Sequence, residues 1–296
     1  MIERLVISFS GGETSALMTR LLLTKWRDRF KEAVVLFANT GQENEQTLEF
    51  VDQCDRAFGF NTVWLEADVN PEPGKGTGHR VVSFETASRA GEPFEAVIKK
   101  FGIPNSKFFG CTRELKKRPI DSYARALGWG AKERHVAVGI RADEPGRRSP
   151  KAEADGVVYP LLDWEPTTKP QVNSFWQSQP FRLNLAGYQG NCRTCWKKSF
   201  RKLLTVMDDD PAAFDFFERM EREYGQVGPE FAKKYVPGYR RTFFRGNKSV
   251  ADLRTMHAAG GWDRAENDAV AYSGSPVKLD LDDGCAESCE VDFSEK

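Results

Sequence analysis

Leu5-Val6-Ile7-Ser8-Phe9-Ser10-Gly11-Gly12-Glu13-Thr14-Ser15-Ala16 is the stretch whose reading decides the fold. An apolar, β-prone run from Leu5 to Phe9 ends in a Ser-Gly-Gly turn, and Thr14 onward through Leu21, Leu22 and Leu23 reads as a helix. A strand, a glycine turn and a helix start build an anion site from backbone alone. Glycine lets the main chain approach a ligand, and the first helical N–H groups face it with the helix dipole behind them. Ser10, Thr14 and Ser15 add hydroxyl donors for phosphate oxygens. The stretch is read as the phosphate cradle of a nucleotide enzyme; the plain alternative is an ordinary strand-to-helix turn. It lacks G-x-x-x-x-G-K-[ST] and G-x-G-x-x-G, which sets aside the P-loop and weakens a dinucleotide reading.

Working outward, apolar runs alternate with helical patterns. The spacing predicts a helix at about 14–29, a strand at 33–37, an amphipathic helix at 44–58, and a strand at 62–65. Helices follow near 93–101 and after 112, then strands at 135–140 and 157–162. Such alternation predicts an α/β fold with a doubly wound, mostly parallel sheet and the ligand at the carboxyl ends of its strands. Cys54 falls on the apolar face of the second helix and reads as a core thiol. Residues 70–79 read as a loop in which Lys75 and His79 either close over a nucleotide or make a surface excursion.

From Pro166 the character changes to a helical extension. The expected division is residues 1–200 as the nucleotide-binding α/β domain, 201–277 as a helical, basic-aromatic extension, and 278–296 as an acidic, mobile tail with cysteines. Within the extension, Lys233, Lys234, Tyr235, Tyr239, Arg240, Arg241, Phe243, Phe244, Arg245 and Lys248 interleave cations with aromatics. That composition suits nucleic acid, through phosphate contact and base stacking, and equally suits a solvent-facing helix and hairpin.

The chain has 296 residues, 40% hydrophobic and 29% charged, with formal net charge zero. It is long enough for a sizeable core, and its overall charge advertises no polyanion. No apolar run approaches the ~18–20 residues that span a membrane, and the first residues enter a strand without a signal peptide. Six cysteines are too few for a disulfide scaffold and suit a reducing cytoplasm, the expected location.

Cys192-Arg193-Thr194-Cys195 is a C-x-x-C on a loop that opens a helix, and Cys111 lies far upstream beside Thr112. Two thiolates at this spacing with a third from another element can grip one metal centre. The motif alone is compatible with redox chemistry, structural zinc or no metal.

Five segments in order carry a family resemblance over about residues 5–200. The S-G-G-x-[TD]-S arrangement resembles the PP-loop of the adenine nucleotide alpha-hydrolase superfamily, which includes ATP pyrophosphatases and phosphoadenylyl-sulfate (PAPS) reductases. Cys111-Thr112-Arg113-Glu114-Leu115-Lys116-Lys117-Arg118-Pro119-Ile120 is similar to the Cys-Cys…Arg-Lys-x-x-Pro-Leu segment of iron–sulfur adenylyl-sulfate reductases. Asn39-Thr40-Gly41, Gly139-Ile140-Arg141-Ala142-Asp143-Glu144 and Tyr159-Pro160-Leu161-Leu162-Asp163-Trp164 resemble further segments of those reductases.

The resemblance implies an enzyme that binds ATP or PAPS with Mg²⁺ at Ser10, Gly11, Gly12, Thr14 and Ser15, joined by Asn39, Thr40, Gly41, Arg113 and Gly139. It implies a [4Fe–4S] cluster held by Cys111, Cys192 and Cys195, one iron being open or capped by another group because Thr112 replaces the second cysteine of the pair. Arg141 and Lys116 are the implied groups that stabilise charge developing at phosphorus or sulfur. The basic run Arg113, Lys116, Lys117, Arg118 either offsets the cluster's charge or is a solvated helix face.

The leading expectation is ATP-dependent adenylylation followed by sulfur transfer. The alternative is thiol-dependent reduction of PAPS or adenylyl-sulfate to sulfite, and a third is nucleic-acid binding without turnover. The reductases end in Glu-Cys-Gly-x-His, whereas this chain ends with Cys285 and Cys289 among carboxylates and no histidine. Three roles stand open for those two: swinging nucleophile, fourth cluster ligand, or unengaged tail. The partners implied are a tRNA, DNA or metabolite sulfur acceptor and a thioredoxin-like reductant, and a homo-oligomer stays open.

Overall fold

A computed structural model of the chain describes residues 1–106, 108, 110–190, 192–228 and 238–272. Cys285, Cys289, Lys233, Lys234 and Tyr235 lie outside these residues. The sheet has six strands in the order β4-β3-β2-β1-β5-β6: β1 Ile2–Ser8, β2 Phe30–Asn39, β3 Val63–Val69, β4 Thr77–Val82, β5 His135–Ala137 and β6 Val157–Val158. All pairings are parallel except that of β4, which runs antiparallel along β3.

Strand periodicity explains the layering. Leu5 and Ile7 of β1 face one core and Val6 the other, and all three are fully buried. Helices α1 (Glu13–Leu23), α2 (Glu45–Phe58) and α6 (Lys169–Gln177) supply the first core, with Trp176, Phe50 and Cys54 inside it. Helix α5 (Arg118–Ala126) covers the second through Ile120 and Ala124. With helices on both faces, the doubly wound architecture expected from the alternation is the one found. Cys54 is indeed a core thiol, its pKa driven up by burial, with Asp55 and Glu13 adding to the effect.

Several boundaries differ, for local reasons. α1 stops at Leu23, and Trp26 and Phe30, though buried, belong to the following turn and to β2. The 70–79 stretch is partly regular, since Thr77–His79 pair with β3. The 157–162 strand shortens to two residues, and Pro160–Trp164 forms a π-helical turn. Proline brings no N–H to a ladder, so the strand ends before it.

The remaining helices are α3 (Glu92–Phe101), the short α4 (Gly110–Thr112) with a π-helical turn at Arg113–Lys117, and α7 (Phe200–Asp209), α8 (Asp215–Tyr224) and α9 (Val250–Ala259). α7 to α9 share a third core with α3, Leu115 and Trp196. The basic-aromatic stretch is largely consumed there. Phe243 and Phe244 are buried, Phe243 meeting Phe217 at 4.6 Å between ring centroids. Arg241 is buried over the Phe108 ring, and Arg240 donates to the Glu221 and Arg222 carbonyls. Among the described residues of that stretch, then, the two phenylalanines face inward. Also among the described residues, no helix is long and apolar enough to cross a membrane.

Candidate active site

The strand order reverses at β1, with β2 on one side and β5 on the other. In open α/β sheets ligands bind where the order reverses, beyond the carboxyl ends of the strands. The turn after β1 occupies this position. Gly11 has φ +82°, and a Cβ there would lie 2.7 Å from Thr47 Cγ2, so both conformation and packing against α2 demand glycine. Gly12 forms the N-cap of α1 and brings no side-chain acceptor to the first turn. Ser15 is an internal brace, because its Oγ accepts from the Ser10 amide (3.1 Å), donates to the Gly12 carbonyl (3.0 Å) and meets Ser10 Oγ at 2.9 Å. The hydroxyl expected to reach a phosphate thus holds the loop's shape.

The end of β5 presses on this turn. A Cβ at Gly139 would stand 3.1 Å from Ser15 Cα, so glycine permits the approach. Two residues on, buried Arg141 donates from one guanidinium nitrogen to Thr14 Oγ1 (3.2 Å) and from Nε to Asp143 Oδ1 (2.9 Å). The turn, Gly139 and Arg141, picked from separate segments, are brought together.

A small cavity of about 30 Å³ lies against the first turn of α1, walled by Gly12, Glu13, Thr14, Lys169, Leu183 and Gly190 among others. Its cover is tied down by Glu13. That buried carboxylate takes Arg182 on both oxygens at 3.0 Å and the Leu183 amide at 3.2 Å. Burial works against the Arg182 charge, but Glu13 and Tyr272 outweigh it and the guanidinium stays above its ordinary pKa. Arg182 also reaches the Ala269 carbonyl and the Tyr272 hydroxyl, both at 3.0 Å.

The loop after β2 is a second braced element. Asn39 donates to Glu66 (2.7 Å) and to the Ser88 carbonyl (2.9 Å) and accepts from the Gly41 amide, while Thr40 donates twice to Glu43. Asn39 and Thr40 are therefore spent on the loop's own shape. This loop carries the C-x-x-C: Glu43 and Cys192 form a β-bridge, the Arg193 amide donates to the Gln42 carbonyl (3.0 Å), and Asn44 donates to the Gly190 carbonyl (2.7 Å).

Cys111, Cys192 and Cys195 wall one small apolar cavity, together with Thr40, Thr112, Leu115, Lys116 and Trp196. Cysteines from two distant segments thus line one cavity, and Thr112 is buried in the same wall. Lys116 is buried 4.0 Å from Glu43 Oε1, whereas Arg113 turns to Glu114 at 2.8 Å. Of the basic run, only Arg118 is exposed. Among the described residues, no group of three or more His, Cys, Asp or Glu side chains is placed to hold a metal ion.

His79 is not at the turn. It stands in β4 and bonds Ser122 of α5 at 2.8 Å. Conversely, sequence reasoning missed Lys169, Asp143 and Lys198. Lys198 donates to the Cys192 (2.8 Å) and Arg193 (2.6 Å) carbonyls and to that of Gln189, and so fixes the thiol loop. Asp143 lies in the Gly139–Glu144 segment and bonds nearby Arg141, but its second partner, the Lys169 amide, lies in α6, which no local pattern links to it.

A family model described as the phosphoadenosine phosphosulfate reductase domain matches residues 4–184. An uncharacterized nin region protein of Escherichia phage lambda is 30% identical over 293 residues, spanning 97% of this chain and 94% of its own length. Two uncharacterized proteins of Methanocaldococcus jannaschii are 26% and 23% identical over 54% and 77% of this chain, which covers only 33% and 44% of theirs. Among solved structures, a PAPS reductase from Candida auris in a phosphate complex is 16% identical, aligned over 61% of this chain and 74% of its own, with a TM-score of 0.35. The match over more than half the chain, with the glycine turn and Arg141 inside it, means that the protein belongs to the phosphoadenosine phosphosulfate reductase domain family.

Proposed function

We propose that the chain binds ATP with Mg²⁺ at the Ser10–Ser15 turn and cleaves it between the α and β phosphates to activate a substrate for sulfur transfer. A substrate oxygen attacks the α-phosphorus, pyrophosphate departs, and a sulfur nucleophile then displaces AMP. One observation carries the reading. The segment from Leu183 to Cys195 walls both the cavity at Gly12–Thr14 and the cavity of the three thiols, so nucleotide and sulfur chemistry share one structural element. Family membership supports the adenine nucleotide.

Each residue's part follows from its surroundings. Amides of the turn and the α1 dipole attract the phosphates, an effect of about 0.3–1 kcal/mol for a helix end. Arg141, held by Asp143 and reaching Thr14, offsets charge that develops at the α-phosphorus. Lys116 does so at the thiols. Were the [4Fe–4S] cluster that the resemblance implies to bind, Cys111, Cys192 and Cys195, which line one cavity, are the thiols that would hold it. Such a cluster supplies electrons, or an iron position for a sulfur ligand.

The second reading, reduction of PAPS or adenylyl-sulfate to sulfite, is favoured by the description of the matching family. Anaerobically purified protein, with iron and sulfide counted and the spectrum near 400 nm recorded, is incubated with ATP, Mg²⁺, sulfide and bulk tRNA as trial acceptor, and separately with PAPS and thioredoxin. Pyrophosphate and AMP without sulfite are expected. Sulfite from PAPS with ATP left intact would replace the first reading by the second.

A further inference from the structure

We propose that Lys169 is a phosphate-binding residue of this site, taking the pyrophosphate portion of a nucleoside triphosphate; the inference rests on the nucleotide reading and deepens it. The glycine turn contains no lysine, and its one acid, Glu13, is engaged by Arg182. A turn of this kind holding a triphosphate must draw cationic help from outside its own sequence. Lys169 walls the same cavity as Gly12, Glu13 and Thr14, and it is only 3% exposed.

Its placement is over-determined. The Lys169 amide donates to Asp143 Oδ2 at 3.0 Å, while Asp143 Oδ1 receives Arg141 Nε at 2.9 Å and Arg141 in turn reaches Thr14. One carboxylate therefore sets two cationic residues around the first turn of α1. The start of α6 is fixed again by the Thr168–Gln171 capping box and by the Ala142 amide on the Thr167 carbonyl (2.9 Å). Farther along α6, Trp176 Nε1 donates to the Glu13 carbonyl at 2.9 Å. Helix α6 thus bonds the turn directly near its far end and is tied to it at its start through Asp143 and Arg141, and Lys169, in its first turn, is carried on a rigid element, which favours a binding group. Asp143 is a positioning residue in this arrangement, since it acts through Arg141 and the α6 backbone.

The test is calorimetric binding of ATP, inorganic pyrophosphate and AMP, each with Mg²⁺, to the full chain and to Lys169→Met, Lys169→Gln, Lys169→Arg and Asp143→Asn. Loss of a charged phosphate contact should weaken ATP and pyrophosphate by about 10- to 100-fold in Lys169→Met. AMP affinity should stay unchanged, and Lys169→Arg should recover part of the loss. Asp143→Asn should weaken AMP as well as ATP, since it loosens Arg141 too. Thermal melts establish which variants fold; should the methionine variant not fold, Lys169→Gln, which keeps a polar end, gives the decision. Unchanged ATP and pyrophosphate affinity in a folded variant overturns the role of Lys169 and leaves the nucleotide reading standing. Lys169-dependent pyrophosphate binding in a protein that takes no adenine nucleotide overturns the nucleotide reading and leaves Lys169 standing. Wild-type protein that binds none of the three overturns both.

Discussion

Two contiguous stretches of this chain look like anion sites on paper, and the fold uses them in opposite ways. The Ser10–Ser15 turn stands at the reversal of strand order with Arg141 against it. The described part of the cation-aromatic stretch, residues 239–248, turns its phenylalanines into the third core and its arginines onto carbonyls and a ring. The first feature lives in the backbone, where glycine conformation and helix start are encoded locally. The second depends on which way side chains face, and that is settled by packing partners far away in sequence.

The sharpest way to break this contrast is Phe243→Ala. The ring is fully buried against Phe217, Phe94 and Phe244, so truncation should cost about 3–5 kcal/mol of stability. Urea unfolding would measure it. Nucleotide binding to the folded fraction should not change, because the ring touches none of the turn. A loss below about 1 kcal/mol would mean that the ring is not a core residue.

Gly11→Ala should come next and behave differently. Left-handed backbone costs a non-glycine residue about 1–2 kcal/mol, and overlap of the new Cβ with Thr47 Cγ2 adds about 1–3 kcal/mol. Stability should fall by about 2–5 kcal/mol, and ATP affinity should fall with it in the protein that remains folded. Stability loss with intact affinity would separate the turn from the ligand.

These two substitutions also mark how much was legible. Apart from β4, which falls in and beyond a stretch read as loop, the order of strands and helices, the glycine turn and the core role of Cys54 could be read because each is a local periodicity or a backbone requirement. That Cys111 lines a cavity with Cys192 and Cys195 could be suspected only through resemblance, since no spacing rule ties residues that far apart. Lys169 and Asp143 were illegible for a related reason. A lysine after Thr168 signals a helix start, and nothing nearby says that the helix lands on residues 12–14. Ser15 was legible as a hydroxyl at the right place, yet whether it faces ligand or loop depends on Ser10 and Gly12 geometry.

A smaller effect should follow from Glu221, which organises the C-terminal helices by accepting the Phe243 and Val250 amides at 2.9 Å each. Burial pushes its carboxyl up from 4.5 to about 6, against the pull of those amides. Because the folded chain holds this proton more tightly than the unfolded chain, the contribution to stability is full below pH 4.5 and is lost as pH rises through about 6. A shift of that size corresponds to about 2 kcal/mol. Urea midpoints across this window should fall with rising pH, and Glu221→Gln should flatten that part of the profile. An unchanged slope in the glutamine variant would assign the pH dependence to other groups.

The smallest expected change decides what the exposed cations of the second stretch do. Arg240 is exposed and donates to the Glu221 (2.7 Å) and Arg222 (2.8 Å) carbonyls, which cap the end of α8. Arg240→Ala should therefore cost about 0.5–1.5 kcal/mol in stability, the worth of a typical hydrogen bond. Were Arg240 instead a phosphate contact, its loss would weaken binding to any oligonucleotide uniformly and reduce the salt dependence by about one unit of slope. Titrating wild type and variant with a single-stranded oligonucleotide at several salt concentrations distinguishes these outcomes. A fold built on inward-facing rings expects the stability change without the slope change. The reverse result would show that an arginine bound to helix-end carbonyls can still exchange them for phosphate, and the contrast between the two stretches would then be one of degree.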